Sequence, residues 1–441
     1  MKIKLGSIEN KIKNFINFSE NYGLTPAKFT VFILTIAFAR NFFEGLLEPP
    51  RTMLNVAFIR TTIMQMAVLF NLEWLTLFIT LSVAIKAATG EKPVKIIKIL
   101  LLFYGWIIIV PFFDIFAAFP GGCRIDYIYT IEGYTKAILL FFNPFCDVSV
   151  CPGIRFEVFA GFILCGSYIF IKTGSVLRSA AGSFMLYFLA VSSMAFPVLI
   201  LLPVFPFDPA GFNTLVHAFF FGPAIVNTFI SRISVMIFLF LVPFLFVLHY
   251  LHYGKKEFNR FLTLFFSPSS LVYAAAVFSG FIASRHAAGA PVFTGPFDPY
   301  LIFSACLLAL FMALYCSIEK KIPSGSAMAV PLGVFTAIAC APLSICFTAA
   351  FGIIVCLRFI IKKWPGRFLL PFQNSAALLL LYIAGSCISA PAAGLPVKIA
   401  VAAITAAMIY FNGLFFEKKN TIVYNMINFG TAVILITGAF I

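Results

Sequence analysis

Ionisable side chains are what this sequence lacks most. Only 11% of its 441 residues are Asp, Glu, Lys or Arg, against roughly 25% in an average soluble domain. Histidine occurs four times and tryptophan three times. With 62% apolar residues and a mean hydropathy of +1.03, a soluble globular domain, a disordered chain and a nucleic-acid binder are all excluded. The period-two alternation of an outer-membrane barrel is missing as well. So is the apolar core of a cleavable signal peptide near the start. No phosphate-cradling Gly-x-x-x-x-Gly-Lys loop, nucleophile elbow or His-Glu-x-x-His motif occurs. Neither Cys-x-x-Cys nor a ligand spacing among His217, His249, His252 and His286 is found, so no metal site is expected.

What is present is a series of long apolar runs. Those at 30–47, 62–86, 97–119, 156–172, 180–204, 233–253, 269–286, 299–317, 327–341, 343–361, 371–388, 396–413 and 421–439 each approach the length that crosses a bilayer as a helix. Two further stretches, 134–146 and 213–229, read as interfacial or re-entrant. The expected fold is an all-α polytopic integral membrane protein of about 13 transmembrane helices.

Charge orients it. The net charge is +15, from 31 basic and 16 acidic residues. With the N-terminus inside, 22 of the 31 basic residues fall on the inner segments, including Lys86, Lys92, Lys95 and Lys98, then Lys255, Lys256 and Arg260. The outer segments 120–153, 205–212, 287–298 and 389–395 are poor in Lys and Arg. This bias predicts a cytoplasmic N-terminus and an outer C-terminus, in a prokaryotic cytoplasmic membrane. Leu5, Ile8, Ile12, Phe15 and Ile16 recur at helical spacing among lysines, which predicts an amphipathic helix on the inner membrane surface. The polar run Gly254–Arg260 divides the chain into 1–257, with about six spans, and 258–441, with about seven.

Charges at membrane depth are costly and usually face partners or cavities. Arg40, Glu44 and Glu48 are spaced four apart on one helical face, Asp114 lies near the outer end of the third span, and Arg155 and Glu157 open the fourth. They read either as internal ion pairs that pin helices together or as a polar cavity for a lipid headgroup or ion. Arg155 is the expected partner of Asp114. In the outer segment 120–153, Cys123, Cys146 and Cys151 admit one disulfide, with Cys146–Cys151 the closest pair in sequence.

Three inner loops of the second half carry a further pattern. Glu319-Lys320-Lys321-Ile-Pro-Ser324-Gly325 is followed two spans later by Arg358-Phe-Ile-Ile-Lys362-Lys363-Trp-Pro-Gly-Arg367-Phe368, with Gln373-Asn374 opening the next helix. The third loop is Asn412-Gly-Leu-Phe-Phe-Glu417-Lys-Lys-Asn420. From about residue 258 onward the chain resembles the UbiA-type intramembrane prenyltransferase superfamily, whose catalytic loops share one membrane side. The resemblance implies a site for an isoprenoid or other lipid near Glu319, Lys320, Lys321, Ser324, Arg358, Lys362, Lys363, Arg367, Asn374 and Glu417. The family's aspartate-rich motifs, which hold Mg²⁺ against a prenyl diphosphate, are replaced here. Ala313-Leu-Tyr-Cys-Ser-Ile-Glu319 stands at the first and Glu417 alone at the second. One carboxylate per loop beside lysines is a poor seat for Mg²⁺. The expected function is therefore lipid or isoprenoid handling within the bilayer without Mg²⁺-dependent prenyl transfer. The alternatives are an active prenyltransferase, with Mg²⁺ as its cofactor, a carrier or channel, or a structural subunit with a membrane-protein partner.

Overall fold

The computed structural model describes residues 2–47, 70–117, 131–142, 152–195, 255–293, 298–321, 325–343, 345–363, 369–388, 395–415 and 421–438. These are helical almost throughout, and no strand occurs among them. They form two compact units, residues 2–195 and 255–438.

In the first unit, α1 (Lys2–Asn21), α2 (Pro26–Leu47), α3 (Phe70–Thr89) and α4 (Pro93–Tyr104) lead into a 3₁₀ segment, Gly105–Ile109. Then come α5 (Val110–Ala117), α6 (Ile131–Leu139), α7 (Pro152–Thr173) and α8 (Val176–Met194). Pro111 has no N–H to give the ladder, and next to Gly105 this accounts for the tightened turn that interrupts the predicted third span. Gly174, at φ +65°, makes the turn between α7 and α8. Ser175 then caps α8 by accepting a hydrogen bond from the Arg178 amide at 3.3 Å. The first of the two predicted interfacial segments, 134–146, meets the nine-residue α6, too short to cross a bilayer; the second, 213–229, lies outside the described residues. It packs on α8, where Tyr187 donates to the Ala137 carbonyl at 2.7 Å.

The second unit holds α9 (Lys255–Phe265), α10 (Pro268–Ala287), α11 (Asp298–Lys321), α12 (Gly325–Leu343), α13 (Ile345–Lys363), α14 (Leu369–Ser386), α15 (Leu395–Phe415) and α16 (Thr421–Gly438). Ser267 and Pro268 restart the chain as a new helix, bent 41° from α9. Helix α10 runs through the middle of this unit, packed against α11, α14, α15 and α16. Its contact with α14 is close because Gly280 and Gly385 each face the other helix's backbone.

Among the described residues six segments are long and apolar enough to cross a membrane: Ala27–Leu47, Asn71–Thr89, Pro93–Phe116, Arg155–Thr173, Val176–Ser193 and Leu301–Ile318. The bent pair α9–α10 makes a seventh if it counts as one span. Ala329–Cys340, Ala403–Gly413 and Ile422–Leu435 are shorter apolar helices.

Candidate functional site

The first unit buries charge at both of its ends. Successive passes bring the end of α2, the start of α3, the end of α4 with α5, and the start of α7 to one end of the bundle. There Arg40, only 1% exposed, bonds the Glu44 carboxylate one turn along α2. The same guanidinium lies 4.0 Å from Glu157 Oε2 on α7 and 5.5 Å from the centre of the Trp74 ring on α3. Trp74 in turn meets Tyr104 edge to face at 5.5 Å. Three helices thus converge on one buried guanidinium.

Asp114 sits beside this group, and its partner differs from the sequence expectation. Its Oδ1 accepts the backbone N–H of Gly153 at 2.5 Å. The carboxylate is therefore seated on the first turn of α7, where free amides and the helix dipole favour an anion. A side chain at position 153 would overlap the carboxylate, whose Cγ and Oδ1 lie 2.6 and 2.7 Å from where a Cβ would stand. Sequence spacing pointed to Arg155 because it is the nearest basic side chain. The carboxylate instead takes the backbone amide two residues earlier, and Arg155 stands half-buried on the same helix.

Above these charges lies a cavity of about 170 Å³. Arg40, Asn41, Glu44, Glu73, Tyr104 and Glu157 give it one polar wall. Leu77, Phe78, Leu81, Leu100, Ile107 and Phe162 are among the apolar residues that line the rest. Trp106 and Phe156 also line it and are 60% and 48% exposed, so the cavity reaches the outer surface of the unit. Asn41 is 2% exposed, yet among the described residues neither its Oδ1 nor its Nδ2 has a hydrogen-bond partner. The same holds for the Tyr104 hydroxyl and for Glu157 Oε2. Buried polar groups are nearly always satisfied, so these four atoms, without a hydrogen bond among the described residues, leave bonding capacity on one cavity wall.

The opposite end carries a closed network. Glu20, at the end of α1, receives Lys172 Nζ at 2.5 Å, Tyr168 Oη at 3.0 Å and Lys95 Nζ at 3.3 Å. Lys98 donates to the Glu20 carbonyl at 2.7 Å, and Glu91 bridges Lys95 and Lys172 at 3.4 and 3.6 Å. Burial by itself would raise the pKa of Glu20. The bonds from Lys172, Tyr168 and Lys95 outweigh that and hold its carboxyl below the ordinary glutamate range. Ile16 is buried on the same face of α1, while Ile12, Phe15 and Phe18 remain exposed. Between the two charged ends the packed interior is apolar, with Ile33, Ile85, Ile96, Ile99, Cys165 and Ile169 at its centre.

No protein family, curated protein or solved structure matches this chain. Arg358 on α13 lies 4.0 Å from the centre of the Tyr315 ring on α11, so the two helices that lead into the first two loops are joined near their ends. Asn374 Oδ1 accepts from Tyr273 at 3.3 Å, and Gln373 Nε2 donates to Cys316 Sγ at 3.4 Å. Lys362 and Lys363 are exposed at the end of α13. Glu319, Lys320 and Lys321 form the last turn of α11, but their side chains, like Ser324, Arg367 and Glu417, lie outside the described residues. Glu48, Cys123, Cys146 and Cys151 do so too. Among the described residues no three His, Cys, Asp or Glu side chains gather as a metal site.

Sequence reading missed Asn41, Glu73, Trp74, Tyr104 and Glu20. Two of these carried a signal. Asn41 adjoins Arg40, and Glu73 opens an apolar helix; a polar side chain in an apolar run is the usual mark of an interior site.

Proposed function

We propose that this is an intramembrane binding protein for an amphiphile whose polar end and first few carbons fill the cavity of the first unit against Arg40, Asn41, Tyr104 and Glu157, the rest of its chain leaving past Trp106 and Phe156. The observation that carries this reading is the polar wall of unsatisfied atoms at one end of an otherwise apolar cavity, a combination that suits a molecule with one polar end. The exposed rim at Trp106 and Phe156 suits entry from the lipid side. The apolar interior between the two charged ends speaks for binding rather than for a continuous ion path. Residues 258–441 are then a UbiA-like lipid-handling region without Mg²⁺-dependent transfer, a reading favoured by the tie between the loop-bearing ends of α11 and α13. On this reading the chain lies in a prokaryotic cytoplasmic membrane with about 13 spans, N-terminus inside and C-terminus outside, supported by the apolar runs and the bias of basic residues.

The test uses Gly161, which lines the cavity and where a Cβ would meet nothing within 4 Å. Gly161→Phe should fill the space without disturbing the fold. Native mass spectrometry of the full chain should detect a bound lipid-sized adduct in the wild type and none in the variant. Equal adducts in both would refute the reading. Reporter fusions test the topology, and a cytoplasmic signal at position 290 would overturn the span list.

A further inference from the structure

Hydrogen-bonding capacity, rather than charge, narrows the class of occupant. The described charges at the polar wall are met within the protein: Arg40 bonds Glu44 and faces Glu157 at 4.0 Å, the Gly153 amide takes Asp114, and Glu73 is engaged as well. A charged head would leave water for an apolar cavity whose charges are already matched, which is costly. Asn41 supplies the sharper constraint. Its buried carboxamide holds one acceptor and one donor group, and among the described residues neither has a hydrogen-bond partner; turning the amide over changes nothing in that count. The Tyr104 hydroxyl, which can donate or accept, and Glu157 Oε2, an acceptor, are in the same state. These two side chains are near enough to act on each other electrostatically. A head that only donates, such as an ammonium, would leave Asn41 Nδ2 without a bond. One that only accepts, such as an ether or a phosphate, would leave Asn41 Oδ1 and Glu157 Oε2 without one. A hydroxyl both donates and accepts and carries no charge.

We propose that the amphiphile bound in the first unit carries an uncharged hydroxyl head, seated against Asn41, Tyr104 and Glu157, with the first carbons of its chain among Leu77, Phe78 and Leu100. This rests on the reading of the cavity as an amphiphile site and adds the chemical class of the head.

The test compares four amphiphiles that share one tail. Tritiated dodecanol, dodecyl methyl ether, dodecylamine and dodecyl phosphate are each titrated into the full chain in phosphatidylcholine nanodiscs, whose lipid heads offer no donor, and binding is read by scintillation proximity. The alcohol donates and accepts, the ether and the phosphate serve as acceptors, and the protonated amine only donates. Dodecanol should half-saturate at a mole fraction about tenfold below the other three, the worth of one buried hydrogen bond left unmade. Gly161→Phe should abolish its saturable binding. Asn41→Leu, which keeps the shape and removes both groups, should weaken dodecanol by about tenfold and bring it to the level of the ether, with the ether itself little changed. Tyr104→Phe serves the same purpose if the first variant does not fold. Equal binding of all four, lost in Gly161→Phe but unaffected by Asn41→Leu and Tyr104→Phe, would overturn the hydroxyl head and leave the cavity reading standing. Tighter binding of the amine or the phosphate would overturn it in the same way. If none of the four saturates, or Gly161→Phe binds them as the wild type does, the amphiphile reading falls and this one with it.

Discussion

The crossing of α10 and α14 gives the sharpest test of packing in the second unit. At Gly280 a Cβ would overlap the carbonyl oxygen of Tyr382 and lie 3.0 Å from its carbon and from the Ser386 nitrogen. At Gly385 it would overlap the Val277 carbonyl oxygen and lie 2.9 Å from its carbon and Cα. Both obstacles are backbone, which cannot rotate aside as a side chain can. Restoring ordinary van der Waals spacing requires the helices to part by about 1 Å. That would loosen Ala276, Val277, Leu378 and Leu381, none of which is exposed at all. Overpacking costs about 1–3 kcal/mol where side chains can adjust. A rigid backbone obstacle belongs at the top of that range, so Gly280→Ala should cost about 3 kcal/mol, as should Gly385→Ala. Gly352→Ala and Gly430→Ala are the controls, since a Cβ there meets nothing within 4 Å; the change should be neutral or stabilising by up to about 1 kcal/mol. Thermal unfolding in detergent at constant lipid ratio ranks the four. If Gly280→Ala and Gly385→Ala are as stable as the controls, the close approach of small residues does not hold this unit together.

Three further outcomes are expected. Glu20→Gln should destabilise the first unit by about 2 kcal/mol, less than the full cost of orphaning buried cations because Glu91 still serves Lys95 and Lys172. Because the Glu20 carboxyl titrates below the ordinary value of 4.5, its contribution is complete above that value and lost as pH falls through the lower, folded-state one. The stability gap between wild type and Glu20→Gln should thus stay constant at neutral pH and close only in acid; a gap that closed near pH 7 would refute the ion network. Purified protein with Mg²⁺ should release no pyrophosphate from prenyl diphosphates, and sustained turnover abolished by Glu319→Gln would restore the enzyme reading. The Cys346 and Cys387 thiols, at neighbouring ends of α13 and α14, lie close enough to act on one another, so copper–phenanthroline should join them in a protein whose other cysteines are Ser. Retention of two maleimide-reactive thiols after oxidation would show that these ends are apart.

Local pattern by itself determined which segments are helical, because composition and the 3.6-residue period decide that within a single element. The apolar runs and the amphipathic α1 were legible that way, and so was the Arg40–Glu44 pair, whose partners are one turn apart. Arg40 was recognisable as an interior charge from its place in an apolar helix, but not its second neighbour, Glu157, more than 100 residues away. Tertiary structure alone decided that Asp114 would take the Gly153 amide, that Glu20 would fasten α1 to α4 and α7, and that Gly280 and Gly385 would face each other's backbones. It also decided that Asn41, Tyr104 and Glu157 would share one cavity wall without bonding one another. Spacing along a helix says which residues share a face. Which faces meet depends on how the helices exclude voids against one another, and that is a property of the whole bundle.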